Sequence, residues 1–555
     1  MEGTTSLKQR EKNMYADLIL YNSVIYTMDE TRPTASKIAI KEGKIVAFDQ
    51  DADPYCGPQT RKIDIKGKTI LPGLIESHAH PLNYAANLLE LDLRAEVAPD
   101  IHSILAAVRK KAEELPEGEW ILGMGWDDSK LKERRFPTIE ELSAAAPHHP
   151  VFLKRTCIHN AVVNQKAFEK SGLSENPVDP EGGHFHRNPE TGKLSGLIQE
   201  NAMSEFAVPT LTIDQLKQAM LQAQQHFYEW GITTVHDMAV KKEEMMVYQQ
   251  LQKQADFRLK VRLWLWALSQ MGWNGMENEV LALGIESGYG NDRLNIQGLK
   301  YMLDGSVGGK TAAVSSPYEH EEDNCGLLYM TREKLCDHVA RVVKHNLRVS
   351  IHGIGERAID MALEAIEQSG TPEQNKNMRH RIEHCALATK DHLERMASRE
   401  IIAASSIGFI YSIGDSYLKN LGEKRAERVF PHASFKKYGI TAPGNSDMPV
   451  CHGNPFYGIY TAVTRKTIGG QQLGTKEAIS VQDAIQSYTV DAAYSGFDEE
   501  IIGSLSIGKY ADLIVLSEDP FTIHSDQLKD IKVLLTMIEG ETVFQRTRKE
   551  GYSYV

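Results

Sequence analysis

The run Leu71-Pro-Gly-Leu-Ile-Glu-Ser-His-Ala-His80 delivers two histidines, two positions apart, at the end of an apolar segment. In extended backbone that spacing sends both imidazoles to the same side. With 20 histidines in 555 residues, chance supplies roughly 0.7 H-x-H pairs, so the bare pattern discriminates little. A second copy occurs at His184 and His186, in Glu181-Gly-Gly-His-Phe-His186, a polar stretch with glycines and no strand-like run leading into it. Position separates the two pairs. His78 and His80 close a strand-like run, where a parallel barrel places its catalytic groups.

Working outward from this run, apolar or β-branched segments recur, each stopping at a polar or small residue and followed by a stretch long enough for a helix. They are Gly73–Ser77, Gly231–Val235, Val261–Trp266, Ile296–Lys300, Leu347–Ile351, Arg379–Glu383, Ile401–Ser405 and Ile440–Gly444. Eight such runs predict an α/β chain built on a (β/α)8 TIM barrel. The gap between the first two is far longer than a barrel unit needs, so an insertion at about 83–215 is expected after the first strand. It contains Trp120-Ile-Leu-Gly-Met-Gly-Trp126, the run Val151–Arg155, and a stretch rich in Gly and Pro at 176–196, which reads as a loop.

Short alternating runs (Asp17–Tyr21, Lys37–Ile40, Lys44–Phe48) occupy the first 70 residues, with a hairpin turn at Lys41-Glu-Gly-Lys44. The same style returns at Gly508–Leu516 and Lys532–Ile538. The two chain ends are therefore expected to build one small β-sandwich from residues 1–70 and 501–555. The barrel is assigned to 71–450 and its helical end to 451–500.

Composition narrows the class. Hydrophobic residues at 41% and charged residues at 25% are those of a globular protein. A net charge of −13 without a Lys/Arg-rich run argues against a nucleic-acid partner. Residues 1–13 lack the apolar core of a signal peptide, and no segment of about 18 apolar residues follows, so a cytoplasmic protein off the membrane is expected. The six cysteines (Cys56, Cys157, Cys325, Cys336, Cys385, Cys451) form no C-x-x-C pair, which suits reduced thiols and leaves any metal to other ligands.

Four residues at further strand ends would complete a site with His78 and His80: Lys300, His352, His384 and Asp447. Alone, each has an ordinary structural reading; in this order they point to one site. Trp264 and Trp266 alternate in a strand and read as packing. Trp126, behind Gly123 and Gly125, is the better candidate for substrate contact, because glycines permit close backbone approach.

On these motifs the sequence resembles the amidohydrolase superfamily, in particular its branch of N-substituted formamide deformylase-like enzymes. The carrying blocks are Pro72-Gly-Leu-Ile-Glu-Ser-His-Ala-His80, Gly231-Ile-Thr-Thr-Val-His-Asp237, Lys300-Tyr-Met-Leu-Asp-Gly-Ser306, Arg381-Ile-Glu-His384 and Ser446-Asp-Met-Pro449. Glu76 stands where Asp is commoner, and Glu356 departs from the branch's H-A-I-G-D-x-A pattern. The resemblance implies that His78, His80 and Asp447 hold one metal, His352 and His384 a second, and a carboxylated Lys300 bridges them. Zinc is the first choice, with manganese, iron or nickel able to use such ligands. It further implies a metal-activated hydroxide, Asp447 as general base and proton shuttle, and His159 or Asn160 facing substrate. His236, ending the second strand, could polarise the substrate carbonyl.

Three functions are open at this level. One is hydrolysis of an amide-type C–N bond, in an N-acyl or N-formyl amine. Another is a mononuclear deaminase in which Lys300 stays an ammonium and Glu356 helps move protons. The third is a non-catalytic binding or regulatory relative, against which the unbroken ligand set argues. The partner expected is a small-molecule substrate; a homodimer is compatible with the reading.

Overall fold

The computed structural model describes residues 15–546, other than 96, 129, 156–159, 175, 181–182 and 271–272. Residues 1–81 with 224–555 form one compact unit, and 82–223 form a second.

The first unit holds a parallel barrel. Its strands are β1 (Leu74–Ala79), β2 (Ile232–Val240), β3 (Lys260–Trp266), β4 (Leu294–Met302), β5 (Arg348–Gly353), β6 (Arg381–His384) and β7 (Ile402–Ser405). They lie side by side in chain order. The expected eighth strand is only partly formed. Pro443 carries no N–H, so Ile440–Gly444 cannot run a full ladder. Thr441 and Pro443 accept from Ala403 and Ser405 of β7, and one parallel bridge joins Ser405 to Gly444. The ring closes on β1 through Asp447 N–H to His78 O (3.0 Å) and His80 N–H to Met448 O (2.8 Å).

Period-2 alternation decides what fills the barrel. Arg262, Trp264 and Trp266 share one face of β3. Arg262 donates from Nε and Nη2 to both oxygens of Asp498 (2.6 and 2.9 Å). The Trp264 ring lies between Arg348 and Arg381, their guanidinium carbons 4.9 and 5.0 Å from its centroid. This layer is buried and cationic: Arg262 has the Asp498 carboxylate, while Arg348 donates to Gln297 Oε1 and to the Arg379 and Ser495 carbonyls.

Two sheets form the β domain. One contains Lys44–Phe48, Ile38–Lys41, Leu18–Tyr21 and Arg61–Asp64; the other contains Glu541–Gln545, Val533–Ile538, Leu513–Leu516, Thr69–Pro72, Val24–Tyr26 and Thr34–Ala35. The hairpin at residues 41–44 forms as expected, with Lys41 opposite Lys44. Leu513 pairs with Pro72, so the two chain ends share one sheet, and Leu18, Ile38, Ile70, Leu513 and Met537 share one core. Thr69–Pro72 passes through Gly73 straight into β1. A Cβ on Gly73 would stand 2.4 Å from the Thr233 hydroxyl, so only glycine lets the strands meet there.

The second unit has its own six-stranded sheet, in the order Gly183–Arg187, Leu194–Glu200, Asn160–Val163, Val151–Arg155, Ile121–Trp126 and Leu91–Asp92. Helices Ile101–Glu114 and Ile139–Ala145 start at reciprocal caps on Asp100 and Thr138. The stretch at 176–196 is thus no simple loop: it includes an antiparallel hairpin that carries His184 and His186 on a strand. No helix among the described residues is long and apolar enough to cross a membrane. The five described cysteines are free.

The β domain is tied to the amino end of the barrel by a buried ion pair, Lys260 Nζ to Asp512 Oδ2 at 2.6 Å. Asp512→Asn removes the nearer of the two carboxylates on the buried ammonium and leaves it Glu539 Oε1 at 3.5 Å. A stability loss of about 1.5–3 kcal/mol is expected, read as a lowered Tm of the holoprotein.

Candidate metal centre

The carboxyl ends of the strands collect the expected residues. His78 is the penultimate residue of β1 and His80 follows its last; Lys300 lies near the end of β4, His352 near the end of β5, and His384 ends β6. Asp447 comes from the segment that closes the ring, in left-handed backbone (φ 53°) that also occurs at His384 (65°) and Ala239 (63°). Such conformations are costly for residues with a Cβ and persist where the surrounding structure fixes them.

Hydrogen bonds determine which imidazole nitrogen is left for a ligand. His80 Nδ1 lies 2.8 Å from the carbonyl of Met238, which can only accept, so Nδ1 carries the proton and Nε2 presents its lone pair. His78 Nδ1 lies 2.6 Å from Glu383 Oε2. Burial would raise the pKa of Glu383, but the Arg381 charge and the His78 hydrogen bond outweigh it and hold the carboxylate well below its usual range. Arg381 donates to it from Nε (2.8 Å) and Nη2 (2.9 Å), and Ser350 Oγ adds a third donor at 2.7 Å. His384 Nδ1 donates to Ser406 Oγ (2.7 Å), whose own proton goes to Asn445 Oδ1 (2.7 Å).

With these protons committed, lone pairs converge. The Nε2 atoms of His78 and His80 lie 3.3 and 3.0 Å from one oxygen, Asp447 Oδ1. Ligand atoms of His78, His384 and Asp447 all fall within 4.8 Å of one another. Facing acceptors repel unless a proton or a cation lies between them, so this donor set fits a divalent metal. Burial opposes the charged form of His80, yet attraction to Asp447 raises its pKa. Burial likewise opposes the Asp447 carboxylate, but its contacts with His78 and His80 hold the pKa well below the ordinary range. Burial, with His352 and His78 nearby, keeps His384 neutral.

Lys300 Nζ is buried and has no hydrogen-bond partner among the described residues. Burial pulls its pKa down to about 8 against the opposing charges of Glu383 and Asp447. An ammonium with three unpaired donors is a costly occupant of that position. His352 stands beside His384, with ring centroids 4.4 Å apart, but its Nε2 lies 3.2 Å from Gly305 O and 3.2 Å from Asp304 Oδ1. The nitrogen left for a ligand is therefore Nδ1. Asp304 is fixed by backbone N–H groups of Ala313, Ile354 and Gly355.

Several expectations are corrected or located. β2 runs on to Val240, so His236 does not end it. That histidine lies fully buried in mid-strand, accepting from Arg381 Nη1 (2.9 Å) at Nδ1, with Nε2 toward the Gly496 backbone. Trp126 is packed in a core of the second unit, its indole N–H donating to Leu153 O (2.8 Å), which the packing explanation accounts for. Asn160 accepts from Gln199, and His159 lies outside the described residues. His184 meets Asp179 and His186 meets Ser195 on their hairpin, and neither belongs to the converging group. Glu356 heads the helix Glu356–Ser369 and accepts from Ser315 N. Glu76 accepts from both the backbone and hydroxyl of Ser446, and burial lifts its carboxyl to about 8.

Three positioning groups carried no role in the sequence reading: Glu383, Asp304 and the Ser406–Asn445 pair. The first two lie inside the blocks Arg381–His384 and Lys300–Ser306. A carboxylate one residue before a ligand histidine was the available signal.

Comparison with known proteins places this geometry. The profile of the Amidohydrolase family matches residues 61–544. The N-substituted formamide deformylase of Arthrobacter pascens is 26% identical, over 96% of this chain and 99% of that protein. Protein LONG AFTER FAR-RED 3 of Arabidopsis thaliana is 29% identical, over 95% of this chain and 92% of its own length. A crystal structure of an uncharacterized metal-dependent hydrolase from Pyrococcus horikoshii superposes with a TM-score of 0.76 at 27% identity, covering 92% of this chain and 99% of that one. With the family profile matching most of its length, the chain belongs to the amidohydrolase family and is a metal-dependent hydrolase.

Proposed function

We propose that this hydrolase cleaves an amide-type C–N bond in an N-acyl or N-formyl amine, with two divalent metals, zinc first, at the strand ends. The observation that carries the reading is the convergence of the His78 and His80 lone pairs on Asp447 Oδ1 beside an unpartnered, buried Lys300. The likeness to an N-substituted formamide deformylase along nearly the whole chain supports the choice of substrate class.

In this reading His78, His80 and Asp447 would hold one metal and His384, with Nδ1 of His352, the other. Lys300 would supply two anionic oxygens to the set once its neutral amine had added carbon dioxide to become a carbamate, releasing a proton. The metals supply Lewis acidity and a water acidic enough to ionise near neutral pH. Asp447 and His80, with side chains 10% and 20% exposed against 1% for His78, form the side of the cluster that faces solvent. Asp447 is the carboxylate among them. It accepts the proton of the attacking water and returns it to the departing amine nitrogen, so the C–N bond breaks without expelling an amide anion. Glu383 keeps His78 in the tautomer that points Nε2 inward, and Met238 O does the same for His80.

Screening formamides and N-acyl amines for released amine with the metal-loaded enzyme tests the assignment; about two metals per chain and turnover of an N-acyl amine are expected, and one metal with ammonia release from an amino-substituted ring would replace it with a deaminase. Asp447→Asn should lower kcat by about 10²- to 10⁴-fold. Glu383→Gln should weaken metal binding by about 10- to 100-fold, measured by competition with a chelator. Stripping the metals should lower Tm, and zinc with bicarbonate should restore it, because the metals bind only the folded ligand set. Native mass spectrometry should find the carbamate in wild type and not in Lys300→Ala.

A further inference from the structure

Trp266 ends β3 and pairs in register with Lys300 on β4. Residues paired across neighbouring strands point to the same side of the sheet. Trp266 also lies two residues beyond Trp264 and four beyond Arg262, both of which fill the barrel interior. Both arguments turn its indole inward, into the layer of Lys300. The side chain is 2% exposed, and its Nε1–H has no hydrogen-bond partner among the described residues.

An indole N–H donates and cannot accept, and a buried, unpaired donor is costly. Trp264 shares that lack of a partner, but its ring is clamped between two guanidinium groups in the closed layer below. Trp266 has no such clamp. Its outer neighbour is Trp273, edge to face at 5.4 Å, which is 36% exposed and covered by Lys241 Nζ at 4.5 Å from its centroid. The two rings make an aromatic wall from solvent to Lys300.

We propose that Trp266 is a substrate-binding residue: its Nε1–H donates to the oxygen of an acyl or carboxylate group seated beside Lys300, and the Trp266–Trp273 wall takes the apolar part of the same molecule. The substrate class is then an oxygen acceptor attached to an apolar or aromatic group. This rests on the amidohydrolase reading of the site and adds the residue that orients the acyl oxygen.

The test is Trp266→Phe in the zinc-loaded protein, which keeps the ring and removes the donor, with Trp264→Phe as the control in the layer below. Two readouts are taken: binding of acetohydroxamate by calorimetry, and hydrolysis of N-benzylformamide. Trp266→Phe should keep its metal content, bind acetohydroxamate about three- to tenfold more weakly and lose a similar factor in kcat/KM, chiefly through KM. Trp264→Phe should leave acetohydroxamate binding unchanged. If Trp266→Phe binds acetohydroxamate as tightly as wild type, or wild type does not bind it, the proposal is overturned. If wild type binds it in a Trp266-dependent way yet hydrolyses no formamide or N-acyl amine, the substrate assignment of the previous section fails and the role of Trp266 stands.

Discussion

Arg381 is the residue on which the order of the site depends. Its guanidinium is fully buried and divides its donors among Glu383, the Ser77 carbonyl and His236. Guanidinium is always charged and its fork matches a carboxylate, so Glu383 stays anionic in a place where burial alone would protonate it. The anion then decides which nitrogen of His78 is protonated. The bond to Ser77 O fixes the backbone of β1 just before that histidine. One cation thus sets the protonation, the tautomer and the main-chain position of the first ligand. Lysine would offer a point charge without the planar fork and could not hold three acceptors in these directions.

Beneath that guanidinium, Arg262, Arg348 and Trp264 fill the barrel instead of the aliphatic layers common in such cores. Charged side chains in that layer fix the strands by directional bonds, as with Arg262 on Asp498 and Arg348 on Gln297. Directional contacts suit a site that needs its ligands held to a fraction of an ångström, since methyl packing tolerates sliding. The left-handed backbone at His384 and Asp447 is sustained against this floor.

Much of this was legible from the chain. Seven of the eight strands announce themselves by apolar runs that stop at a polar residue, and the ligand candidates are the residues at which those runs stop. Chain order alone gave the β domain, because alternation reappears at the two ends. What stayed hidden depended on partners remote in sequence. The burial of His236 follows from four further strand residues, Asp237–Val240, that look like a loop start. Pro443 could have warned that the eighth run would not hydrogen-bond as a strand. The strand that carries His184 and His186 buries only Phe185 among its five residues, so its sequence carries no apolar period. Which nitrogen of each histidine is free could not be read at all, since it is set by Glu383, Met238 O and Ser406.

The seam between the segment after Pro443 and β1 joins residue 447 to residue 78 through main-chain hydrogen bonds. Every other neighbour in the ring follows its predecessor in the chain, so this closure spans the largest loop and bears the largest entropic cost. On a ribosome the N-terminal histidines emerge long before the aspartate that faces them. The barrel can be knitted strand by strand, yet the cluster of His78, His384 and Asp447 is not assembled until the last stitch. A truncated or stalled product therefore lacks the residue on which the two N-terminal histidines converge.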